Sequence, residues 1–65
     1  MRDRILDSMK KYLEGRVAHQ KLNIENMLEH PETGGSAMVE ILDERLEHLA
    51  LEQSKLENLA LFTEY

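Results

Sequence analysis

A chain of 65 residues with no cysteine has neither a disulfide nor a thiolate metal site to brace it, and a core this small holds little by itself. Charged residues at 32% beside apolar residues at 42%, with three glycines and one proline, exclude a disordered low-complexity chain and suit solvated helices. The net charge of −5 is uneven: residues 1–28 hold six basic against four acidic side chains, and residues 29–65 hold two against nine.

At the start of the chain, Arg2, Asp3 and Arg4 are followed by no apolar leader segment. The apolar run over 59–62 is far short of a membrane span, so no membrane association and a cytoplasmic location are expected.

The first element is a helix over 2–29. Leu6, Met9, Leu13, Val17, Gln20, Ile24 and Met27 recur three and four residues apart, which makes one apolar seam. Gly15 lies opposite that seam and weakens the helix slightly. A turn over 30–35 follows. Pro31 lacks an N–H and disfavours helical geometry at His30. Gly34 and Gly35 permit backbone angles closed to other residues. Ser36, or alternatively Thr33, can cap the next helix, and Glu40 suits the positive end of its dipole.

The second helix is expected over 36–62, with Val39, Leu42, Leu46, Leu49, Gln53, Leu56 and Ala60 as its seam. Strand alternation is sustained nowhere. The short connection makes an antiparallel two-helix hairpin, an all-α fold in one domain, with helices of roughly 40 Å.

Apolar residues remain outside both seams. Ile5, Tyr12, Leu22 and Leu28 lie off the first; Met38, Ile41, Leu51, Leu59, Leu61, Phe62 and Tyr65 lie off the second. Ile5 and Tyr12 come near Leu59 and Phe62 at the open end, and Leu28, Met38 and Ile41 gather near the turn. Such patches ask for a second packing surface, and the simplest supplier is another copy, giving a homodimeric four-helix bundle. Gln20 and Gln53 interrupt the seams and need partners for their amides. If the second hairpin has its turn at the opposite end, Gln20 of one copy falls beside Gln53 of the other. The expected oligomer interface is therefore Ile5, Tyr12, Gln20, Leu28, Met38, Ile41, Gln53, Leu59 and Phe62.

Residues that could carry chemistry do not converge. Arg16, Met27 and Arg45 stand three before His19, His30 and His48, so the Glu-x-x-His pattern of helical di-metal sites is missing. Glu44, His48 and Glu52 share a helix face, but that face is expected to be solvated. Glu29, His30 and Glu32 form a polar cluster at the turn, where the helix dipole favours a cation. Ser8, Ser36 and Ser54 lack triad companions, and Gly34-Gly35 is too short for a phosphate loop. Met9, Met27 and Met38 serve as fillers of core gaps. No catalytic, cofactor or metal site is expected, and the protein is not expected to be an enzyme.

The charge layout has two readings. Oppositely charged helices pair well side by side. Alternatively, Arg2, Arg4, Lys11 and Arg16 form a basic face for nucleic acid, although Asp3, Asp7 and Glu14 interleave and Tyr12 is the one aromatic nearby. The sequence thus points to a small interaction protein (an adaptor, regulator or assembly component) that meets itself and a further protein through helix surfaces. An RNA-binding regulator is the alternative.

Overall fold

A computed structural model describes residues 1–30 and 35–63. The expectations for Pro31, Glu32, Thr33, Gly34 and Tyr65 lie outside those residues. Two helices make up the fold, α1 over Arg2–Glu29 and α2 over Ser36–Thr63, with no strand among the described residues. No described helix is long and apolar enough to cross a membrane.

The helix ends show how the sequence punctuates itself. The Met1 carbonyl takes the first bond of α1, from the Ile5 N–H at 3.1 Å, without help from a side chain. The His30 N–H donates to the Asn26 carbonyl at 2.9 Å and closes the last turn. Ser36 was expected to cap α2, but it is already the first helical residue. Gly35 precedes it with φ of +74°, a backbone region that a side chain would strain, and its carbonyl accepts the Val39 N–H at 3.3 Å. At the far end Thr63 Oγ1 donates to the Ala60 carbonyl at 3.0 Å, so α2 runs one residue beyond Phe62.

The helices lie antiparallel. Arg2 Nη2 donates to the Phe62 carbonyl at 2.9 Å at the open end, and Arg16 meets Glu52 midway along. The result is a rod of 48 × 15 × 13 Å. Its radius of gyration is 15.1 Å, whereas a compact domain of this length would have about 11 Å.

Along α1 the seam follows the expected spacing. Leu13 and Val17 are buried, and Leu6, Gln20, Ile24 and Met27 are half-buried. Met9 departs from it at 40% exposure, and Asn23 is half-buried instead.

Along α2 the seam is turned by one residue from the expected one. Val39, Leu46, Gln53 and Ala60 are exposed, and the inward positions are Met38, Leu42, Leu49, Glu52, Leu56 and Leu59. Leu42, Leu49 and Leu56 belong to both alternatives, because a row of every seventh residue can be completed from either neighbouring row. The row with Met38 and Leu59 brings longer side chains to the two ends of the seam than Val39 and Ala60 do. In its middle Glu52 finds a guanidinium, whereas Gln53 would have met Leu13. Met38 and Leu59, expected off the seam, therefore help to close the hairpin.

This rotation removes the basis for the expected glutamine layers. Gln20 stays half-buried and its Oε1 has no hydrogen-bond partner among the described residues. Gln53 is in solvent on the opposite flank, so Gln20 and Gln53 do not share one face of the hairpin.

Candidate functional site

The most built feature of the molecule is the ion pair at mid-height. Glu52 is 7% exposed, and its Oε1 accepts a hydrogen bond from Arg16 Nε at 3.0 Å. Its other oxygen, Oε2, has no hydrogen-bond partner among the described residues but lies 3.8 Å from Lys55 Nζ, within ion-pair range. Glu52 holds the Arg16 guanidinium above its ordinary range, first through the hydrogen bond and then through charge attraction, with Tyr12 adding to it. A carboxylate among leucines is costly unless it is paired, and here two cations on two helices share that task. Sequence reasoning placed Glu52 on a solvated face. The signal that could have found it was its level: Arg16 meets a residue within two positions of the one that simple antiparallel pairing assigns to it.

Around this pair the hairpin has two unlike flanks. At 100° per residue, the flank that carries Arg16 also carries Ile5, Met9, Tyr12, His19 and Asn23 of α1. Arg16 is the one Asp, Glu, Lys or Arg among them. On α2 the same flank carries Ile41, Glu44, Arg45, His48, Lys55 and Phe62 beside the inward Glu52 and Leu59. The other flank of α1 carries charge at nearly every turn, at Asp3, Asp7, Lys10, Glu14, Lys21 and Glu25, before Leu28, while Arg4 and Lys11 point away from α2 between the two flanks. On α2 it carries the exposed row Val39, Leu46, Gln53 and Ala60.

Each flank has a shallow depression near the open end. Arg4, Ile5, Ser8, Met9 and Tyr12 line one of about 420 Å³. The other, of about 360 Å³, opens along the seam where Lys10 takes a position that leucine would fill, with Asp3, Leu6, Asp7, Leu56 and Leu59 around it. Thr63 also lines it, with its hydroxyl donated to the Ala60 carbonyl at 3.0 Å.

The expected interface residues divide between the flanks. Ile5, Tyr12, Ile41 and Phe62 stand on the charge-poor flank, exposed by 42–59%. Leu28 stands on the other flank at 62%. Met38, Leu59 and Gln20 are half covered within the hairpin itself, and Gln53 faces away from them. Two groups expected to sit together at the turn are thus separated, Ile41 to one side and Leu28 to the other.

The four basic candidates are mostly engaged inside the hairpin. Arg2 holds the Phe62 carbonyl, Lys11 Nζ sits 3.1 Å from Asp7 Oδ2, and Arg16 is committed to Glu52. Arg4 alone of the four makes no hydrogen bond or ion pair among the described residues. Three or more histidine or acidic side chains converge nowhere among the described residues, and Glu52 has left the face it was expected to share with Glu44 and His48. Asn23 Nδ2 lies 3.3 Å from His19 Nε2 on the charge-poor flank.

Comparison with known protein families, curated proteins and solved structures finds no match to this chain.

Proposed function

We propose that this is a small non-enzymatic interaction protein whose working form is a self-assembled one, a pair of hairpins making a four-helix bundle. The observation that carries this reading is the imbalance between what the hairpin buries and what it leaves out. Among the described residues Leu13 and Val17 are the buried apolar side chains, while twelve large apolar side chains are at least 40% exposed. The chain exposes 5354 Å², whereas a folded monomer of 7.6 kDa exposes about 4,300 Å². Stable interfaces cover about 800 Å² per partner, which is within that excess. A second copy supplies apolar surface without calling on any other molecule, and a bundle of this kind presents outer helix faces to further partners, as an adaptor or assembly component does.

Sedimentation equilibrium from low to high micromolar concentration, with helicity followed over the same range, tests the reading. The expected result is twice the 7.6 kDa chain mass at the upper end, with helicity and mass falling together on dilution. A fully helical monomer at every concentration would overturn it.

A further inference from the structure

We infer that the second copy sits on the charge-poor flank, the one centred on Arg16 and Glu52, with its turn at the same end as the first; this rests on the self-association proposed above. The flank is chosen by charge. Covering the other one would desolvate charges at nearly every turn of α1, which costs free energy unless each finds a partner. Covering this one removes Ile5, Met9, Tyr12 and Phe62 from water; on α1 it meets Arg16, already paired with Glu52, and on α2 it meets Glu44, Arg45 and Lys55, the last within 3.8 Å of Glu52, so fewer charges need new partners than on the other flank.

The orientation follows from what each symmetry brings together. Two hairpins stacked face to face with turns at one end are related by a two-fold along the rod, which lays α1 of one over α2 of the other. Turns at opposite ends need a two-fold across the rod, which lays α1 on α1 and α2 on α2. In the first arrangement Ile5 and Met9 come to the level of Phe62 of the second copy, apolar on apolar. The chain half with net basic charge also lies over the strongly acidic half. In the second arrangement Ile5, Met9 and Tyr12 would face Asn26, Asn23 and His19 of the other α1. Because Arg16 is at mid-helix, its two copies would also meet at one level, and the acidic helices would pair with each other.

Two measurements test this. A spin label on Asp3→Cys, at the exposed open end, is read by pulsed dipolar spectroscopy. Same-end dimers place the labels roughly 20 Å apart and opposite-end dimers roughly 40 Å apart, from helix rise and interaxial spacing. A dimer giving the longer distance overturns the orientation and leaves self-association standing; a monomer by sedimentation overturns both. For the flank, Tyr12→Arg is compared with Leu46→Arg, since both side chains are about half exposed in the hairpin and neither change should unfold it. Tyr12→Arg is expected to weaken the dimer by about tenfold or more, and Leu46→Arg to leave it within about twofold. The reverse ranking would overturn the choice of flank.

Discussion

Arg16 and Glu52 stand 36 residues apart in the chain and meet at 3.0 Å across the hairpin, yet they are not equally committed to the meeting. The Glu52 side chain is 9% exposed and the Arg16 side chain 47%. Removal of either partner therefore has a different meaning. Arg16→Ala strands a buried carboxylate with the more distant Lys55, and is expected to lower Tm by several degrees. Glu52→Leu leaves a guanidinium that water can reach, and is expected to cost less. The pair Arg16→Met with Glu52→Leu should melt at or above the parent temperature. Thermal melts of the three variants at one concentration check the ranking, and equal losses from both single changes would contradict it.

Gln20 and Gln53 make a second contrast. Gln20 Oε1 is buried without a partner among the described residues, while Gln53 is in solvent. Gln20→Leu removes an unsatisfied acceptor from the seam and should stabilise by about 1 kcal/mol. Gln53→Leu should stay within about 0.5 kcal/mol, as surface changes usually do. Chemical denaturation distinguishes them, and a larger gain from Gln53 would mean that the expected seam was right after all.

Gly15 offers a direct test of helix propensity. A methyl group added there meets nothing within 4 Å, and its backbone is ordinary helix. Gly15→Ala should stabilise by about 1 kcal/mol, with no change in mass by sedimentation. A loss of stability instead would reveal a neighbour packed against that face in the assembled protein.

Phe62 is 52% exposed at the open end. Phe62→Ala is expected to raise the dimer dissociation constant by about tenfold while changing the helicity of concentrated protein little. An unchanged dissociation constant would place Phe62 outside the interface.

The period of the apolar residues made the helices legible, because a seam of leucines three and four apart is incompatible with a strand. The antiparallel pairing was legible from the short connection alone. What the sequence left open was the rotation of α2. Its Leu42, Leu49 and Leu56 row has a partly apolar row on either side, Val39 and Leu46 on one and Met38 and Leu59 on the other. Composition alone does not choose between them. The choice depends on a contact between distant residues, Arg16 with Glu52, and a carboxylate read alone looks like a solvated one. The candidate interface inherited that ambiguity, which is why Leu28 and Ile41, grouped by their nearness to the turn, stand on opposite flanks.

The row Met38, Arg45, Glu52 and Leu59 has a further consequence, for errors of assembly. Leucines repeating every seven residues along α2 would let that helix slide by one repeat against α1 and still find apolar neighbours. That row, inward at Met38, Glu52 and Leu59 and exposed at Arg45, does not repeat in kind. A slide one way would bring Arg45 opposite Arg16, cation on cation, and a slide the other way would bring Leu59 there and carry Glu52 away from its guanidinium. The charged pair adds little to the strength of a correctly aligned hairpin, but it makes each misaligned one worse, so it works as a notch that lets one alignment seat and rejects its neighbours.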